Sequence, residues 1–371
     1  MRLFTIPVTV WLWLGLIAWT ACGGCEDPAS PRLRPDAADA GTDSGADIAG
    51  DLNNQNINNQ QPAEVAVVEL PLVGDAAGAL AEYSSLAWFG DTLILVPQFP
   101  SRLGDALVAL EKSRILAYLD GAPAATLTWA RVPFDDGGLS RQIPSFEGFE
   151  AIGFSGGTVY MTIEAGSTAG TTCTVVKGTV TTDPGLSITL DPQSLREIPQ
   201  AVQLDNMGHE ALLVLEDRVV TLYEANGANV NPSPVVQTFD LQLSPLEAVP
   251  MASLEYRLTD VTTVDASGTF WALNYFYPGE ADLLDPAPDP LVVQFGEGPT
   301  HAASEVVERL VELAFSPSGV THTGAAPVQL RLMPGEARNW EGLVRLDDRG
   351  FLVVTDKFPT TILAFVPFPA R

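Results

Sequence analysis

A hairpin-sized block recurs five times along this chain, and that periodicity constrains the fold more than any other feature. Each copy opens on an acidic or small polar residue, runs through a short apolar strand, turns, and closes a second apolar strand on another polar residue. The copies are SLAWFGDTLILVPQ (Ser85–Gln98), EAIGFSGGTVYMTIE (Glu150–Glu164), EALLVLEDRVVTLYE (Glu210–Glu224), DVTTVDASGTFWALN (Asp260–Asn274) and EGLVRLDDRGFLVVTD (Glu341–Asp356). Their opening-to-closing offsets are 13, 14, 14, 14 and 15 residues, so the unit is an antiparallel hairpin of nearly fixed length. Pairs such as Gly156-Gly157 and Ser267-Gly268 supply its tight turns. Spaced 65, 60, 50 and 81 residues apart, such units describe an all-β β-propeller of four-stranded antiparallel blades.

Apolar runs at Arg114–Tyr118, Ala125–Trp129, Val235–Phe239 and Leu291–Phe295 are read as outer strands. Glu64–Leu70 and Thr361–Val366 are expected to pair in one blade and close the ring, which removes free sheet edges. The count favours five blades. A sixth is open in the 81-residue interval, where Ser304–Leu313 reads as a long strand or a short helix.

Residues 1–21 carry one basic residue, Arg2, then an apolar run from Leu3 to Trp19 and small residues before Cys22. This pattern describes an export signal, with a membrane-spanning helix as the alternative. Thr20-Ala21-Cys22 resembles the lipobox of bacterial lipoproteins, although Trp19 stands where an aliphatic residue is usual. The resemblance implies acylation of Cys22, and Gly23 rather than aspartate after it points to the outer membrane, on its periplasmic or outer face. Residues 22–64 are built from Asp, Ala, Gly, Pro, Asn and Gln and offer almost nothing to bury, so they are expected to be a disordered tether with a reach of about 35 Å. Residues 65–371 are the propeller, expected to be monomeric. Cys25 and Cys173 can pair or stay as free thiols.

The chain carries a net charge of −27. Residues 1–64 hold 8 acidic and 3 basic residues, leaving 38 and 16 in the propeller, a net −22. A surface this acidic repels nucleic acid and anionic lipid headgroups and disfavours a heavily phosphorylated ligand. Only His209, His301 and His322 are available as histidine ligands, without an HExxH pairing, and no GxSxG elbow, phosphate loop or dinucleotide fingerprint occurs.

In a propeller the innermost strand lines a central channel and its neighbour runs back beside it. The hairpin ends therefore meet at one face. Ser85, Glu150, Glu210, Asp260 and Glu341 should form an inner polar ring, with Gln98, Glu164, Glu224, Asn274 and Asp356 just outside. Carboxylates converging on a narrow channel raise one another's pKa. Bound protons, basic neighbours (Arg257, Arg338, Arg345 and Lys357) or a cation such as Ca2+ can compensate them. A carboxylate at a strand start can equally be structural, bonding backbone amides of the next blade. His209, immediately before Glu210, is with it the candidate catalytic base.

FEGFEAIGF (Phe146–Phe154), MGHEALLVL (Met207–Leu215) and NWEGLVRLDDRGFLVVTDK (Asn339–Lys357) resemble the phytase-like, or esterase-like, propeller family, and share their short motif with strictosidine synthase-like and gluconolactonase-like propellers. By similarity to calcium-dependent lactonase propellers, Glu150, Glu210, Asp260 and Glu341 are implied as Ca2+ ligands. The resemblance implies a Ca2+-assisted hydrolase of an ester, lactone or phosphoester, although three lysines in the entire chain suit phytate poorly. The competing expectation is a non-catalytic propeller that binds a small molecule or a protein at the cell surface.

Overall fold

A computed structural model of the chain describes residues 61–122, 127–168 and 170–369. The export signal, Cys22, Cys25 and nearly all of the tether lie outside the described residues. Within them, no helix is long and apolar enough to cross a membrane.

Five antiparallel sheets form the propeller. Blade 1 comprises β2 (Tyr83–Phe89), β3 (Thr92–Pro97), β4 (Ala106–Glu111) and β5 (Ala130–Asp135), and follows the N-terminal strand β1 (Val68–Leu70). Blade 2 comprises β6 (Phe146–Ser155), β7 (Thr158–Ser167), β8 (Gly170–Thr181) and β9 (Ser187–Leu190), with a short β10 (Arg196–Ile198) beside β8. Blade 3 holds β11 (Ala211–Val214), β12 (Arg218–Leu222), β13 (Val235–Asp240) and β14 (Val249–Pro250). Blade 4 holds β15 (Arg257–Val261), β16 (Thr269–Phe276), β17 (Val307–Ser316) and β18 (Gly319–His322), with β19 (Val328–Gln329) on β17. Blade 5 is β20 (Trp340–Leu346), β21 (Gly350–Thr355) and β22 (Leu363–Pro367), completed by β1.

The inner strands pack in a closed cycle: β2, β6, β11, β15, β20 and back to β2. The ring closes as expected, Val68 opposite Phe365 and Leu70 opposite Leu363. Glu64 staples the entering chain to blade 4, its carboxylate accepting from the amides of Thr300 and His301 and bonding His301 Nδ1 at 3.0 Å. Blades 1 and 2 are fused at their rims by a parallel pair, β5 with β9. The inner strands are apolar on both faces because each is sandwiched between neighbouring blades. Leu93–Val96 and Phe351–Val354 are fully buried.

Three outer-strand expectations are corrected. Arg114–Tyr118 lies in a helix, Lys112–Leu119, that seats Ile115 in the core, and the strand is the preceding β4. Leu291–Phe295 is also helical: Pro290 stands at its first position and Asp289 caps it by accepting from the Leu291 amide. Of Ala125–Trp129, residues 125 and 126 lie outside the described residues, and the strand begins at Ala130. Val235–Phe239 is a strand as expected, and Ser304–Leu313 resolves into β17. The long interval therefore holds one elaborated blade.

Candidate functional site

Each inner strand carries an extra residue near the face where its hairpin ends meet, and that of blade 2 carries a second at Glu147, skipped between Phe146–Ala165 and Gly148–Glu164. In blades 1, 4 and 5 the register skips Ser84, Thr259 and Glu341. In blade 2, Glu150 and Ala151 together face Thr162, between the pairs Phe149–Ile163 and Ile152–Met161. In blade 3, pairing runs from Ala211–Leu222 to the bond from the Glu224 amide to the Gly208 carbonyl, so His209 and Glu210 face Tyr223 alone. A bulge re-aims the side chain it carries. The structurally equivalent ring is therefore Ser84, Glu150, Glu210, Thr259 and Glu341, and two of the five expected inner-ring positions, Ser85 and Asp260, fall one residue past it.

Ser84 and Thr259 use their hydroxyls between blades, donating to the carbonyls of Phe149 (2.5 Å) and Trp340 (2.7 Å). Asp260 points into the interior below the mouth. Its Oδ2 accepts from Ser85 Oγ (3.1 Å) and the amides of Leu86 (3.3 Å) and Leu343 (2.9 Å), and its Oδ1 from its neighbour Val261 (2.8 Å). It thus ties the inner strands of blades 4, 5 and 1 together. Burial pushes its pKa up to about 8, against the pull of those donors.

The remaining carboxylates gather around Arg257, which stands two residues before the blade 4 bulge. Its guanidinium pairs with Glu224 and lies 3.3 Å from Glu341, 3.5 Å from Glu210 and 3.5 Å from Glu280. Burial would lower its pKa, but Glu224, Glu341, Glu210 and Glu280 hold it well above the ordinary value. Burial raises Glu150 and Glu210 well above the carboxylate range, reinforced by their acidic neighbours, and raises Glu224 as well. It pushes Glu341 up to about 8 against the pull of Arg257, and Glu164 up to about 8 with help from Glu224 and Glu147. Glu224 and Glu341 stand close enough to Glu210 for their charge to add to the effect of burial on it. Compensation here comes from one arginine and bound protons.

The implied metal set does not assemble. Asp260 is spent on backbone donors, and Glu210 and Glu341 surround a guanidinium, so a Ca2+ ion at those residues would compete with a fixed positive charge. Among the described residues, no group of three or more acidic, histidine or cysteine side chains is arranged to hold a metal ion. His209 is 2% exposed and does not line the cavity. Burial pushes its pKa down to about 3 against the pull of the Thr221 and Pro199 backbone, and its ring centroid sits 5.5 Å from that of Tyr223. Its amide donates to Cys173 Sγ at 3.2 Å, and burial pushes that thiol up. Of the outer set, Gln98, Glu164 and Asp356 line the mouth. Glu224 is fully buried beneath it, and Asn274 is fully buried, bonding the Glu255 and Arg257 carbonyls and accepting from Arg309 Nε.

Above this floor opens a cavity of about 850 Å³. Glu150 faces it with Gln98 Nε2 donating at 3.2 Å, and Glu147 and Glu164 stand beside it. Tyr277 and Phe358 form an exposed rim, 51% and 57% accessible, so aromatic faces are offered to solvent at an acidic opening. On the blade 1 side, Glu82 adopts a left-handed backbone (φ 39°) and pairs with both Arg102 and Lys357. Strain of this kind in a non-glycine residue concentrates at functional sites. Sequence reading missed Glu82, Arg102, Glu147 and Glu280, which sit on irregular segments or ahead of the bulges. Gly148, with φ 152°, leaves the space that Glu150 and Gln98 occupy; a Cβ there would lie 2.6 Å from Glu150 Oε1.

No family model matches this chain, and no curated protein matches it. Among solved structures it is similar to a GH43 endo-arabinanase from Bacillus licheniformis, with TM-score 0.43 and 12% identity over 80% of this chain and 96% of that one. It is also similar to the PQQ-bound aldose sugar dehydrogenase of Streptomyces coelicolor, with TM-score 0.45 and 12% identity over 83% of this chain and 99% of that one. The catalytic domain of a Coprinopsis cinerea GH62 alpha-L-arabinofuranosidase matches with TM-score 0.43 and 9% identity over 82% and 97%.

Proposed function

We propose that this chain is an exported lipoprotein, held at the outer membrane through Cys22, whose propeller binds a small polar ligand in the mouth cavity without turning it over. The observation that carries the reading is the occupied floor: where a metal-assisted hydrolase needs an open cation site or a free base, Arg257 is engaged by four carboxylates. The cavity's volume suits a small organic molecule. Nine acidic side chains against three basic ones in its lining, with ring faces at the rim, favour a ligand bearing an amine or several hydroxyls.

A second reading keeps the hydrolase of an ester, lactone or phosphoester suggested by the phytase-like resemblance. It is favoured by carboxyl groups held protonated near neutral pH beside an ionised lattice, the pairing that general acid–base chemistry uses.

The test is a screen of small amines, polyols, esters and lactones on the full chain, followed by titration calorimetry and turnover assays. Binding without turnover is expected, abolished when Ala337→Trp fills the cavity. Turnover of any substrate that Glu150→Gln eliminates would replace the binding reading with the hydrolytic one. Cys22→Ala should shift the protein from the membrane to the soluble fraction, and continued membrane association would refute the lipid anchor.

A further inference from the structure

Charge in the mouth cavity is sorted by sector. Between blades 1 and 5, Arg102 and Lys357 converge on Glu82, whose side chain is 10% exposed while theirs are 40% and 37% exposed. The cations are therefore the groups this sector presents to solvent. Both are braced by aromatic faces: Arg102 Cζ lies 3.8 Å from the Phe99 centroid and Lys357 Nζ 5.6 Å from that of Phe358. The neighbouring Asp356 accepts from the Phe358 amide at 2.7 Å.

Blade 2 presents the acidic groups: Glu150 on its blade 1 side, where Gln98 donates to it, Glu164 on its blade 3 side against Gly208, and Glu147 beside them. Glu164 is 3% exposed, lines the cavity, and its Oε1 has no hydrogen-bond partner. A buried carboxylate oxygen without a donor marks a place that water or a ligand fills. An ammonium group brings three donors and the opposite charge. On the blade 1 and blade 5 side, the planar fork of Arg102 and the Lys357 ammonium suit a carboxylate.

We infer that the ligand is a small zwitterion, its ammonium directed to the Glu164 sector and its carboxylate to Arg102 and Lys357. This rests on the binding reading above and names its ligand class. A zwitterion is also neutral overall, so it meets no net repulsion from a chain of charge −27.

The experiment is calorimetric titration of the full chain at about pH 8 with ω-amino acids from glycine to aminocaproate. Each is compared with the amine and the carboxylic acid of the same carbon skeleton. One amino acid in the series should bind at least about tenfold more tightly than either matched control. Glu164→Gln should weaken that amino acid and its matched amine by similar factors, whereas Lys357→Met should weaken the amino acid alone; thermal melts confirm that both variants are folded. An amine that binds as tightly as its matched amino acid would overturn the two-pole assignment and leave the binding reading standing. If no ω-amino acid binds while the wider screen yields another ligand, the ligand class is wrong. If neither yields a ligand, the binding reading falls with it.

Discussion

At the residue scale, Arg257 decides what the acidic mouth can be. One guanidinium among four carboxylates converts a repulsive cluster into a lattice, and its removal strands Glu224, which is fully buried. Arg257→Leu should therefore cost about 3–5 kcal/mol in denaturant unfolding, the range for a buried pair that loses one partner. A loss below about 1 kcal/mol would mean that bound protons compensate the cluster unaided. Glu164 makes a second prediction. Its pKa of about 8 means that below that pH a cationic ligand must displace a proton from it. Amine affinity should then rise by up to about tenfold per pH unit from about pH 6 to about pH 8 and level off above. An affinity that stays flat over that range would show that Glu164 does not meet the cation.

At the element scale, the hairpins were legible because their length and apolar strands repeat, and every hairpin was found where it was read. The bulges were not legible. An extra residue leaves composition unchanged but shifts every later side chain to the opposite face, so Ser85 and Asp260 were read into a ring whose positions are Ser84 and Thr259. Asp260 instead serves as the tie between blades that a strand-opening carboxylate can provide. Asp260→Asn replaces an acceptor oxygen by a donor amide facing the Leu86 and Leu343 amides, and should cost about 1–3 kcal/mol in thermal or chemical unfolding. Ligand binding at the mouth should survive; an unchanged stability would argue against the tie. The helix at Pro290–Phe295 had its signal in plain sight, Asp-Pro before and Gly296 after, but its apolar run read equally well as a strand.

At the scale of the whole molecule, burial of carboxyls sets an unusual pH dependence. Glu164 and Glu341 sit near 8 in the folded chain, against an ordinary value of 4.5. Between about pH 4 and about pH 8 the folded state thus holds protons that the unfolded chain has lost, and stability must fall as pH rises. The melting temperature should be higher near pH 5.5 than near pH 8.5, and the reverse order would show that these carboxyls are ionised in the fold. Adding Ca2+ or a chelator should leave the melt unchanged, because Arg257 already occupies the centre of the lattice; a rise of several degrees with calcium would restore a cation site. The sequence by itself determined the five hairpins, their all-β ring, its closure by the two ends and the acidity of one face, since these follow from local periodicity and residue type. Only the tertiary structure decided which acids meet and what compensates them. That depends on one-residue bulges and on a single arginine reaching across blades, where distance and burial rather than sequence spacing set the energy.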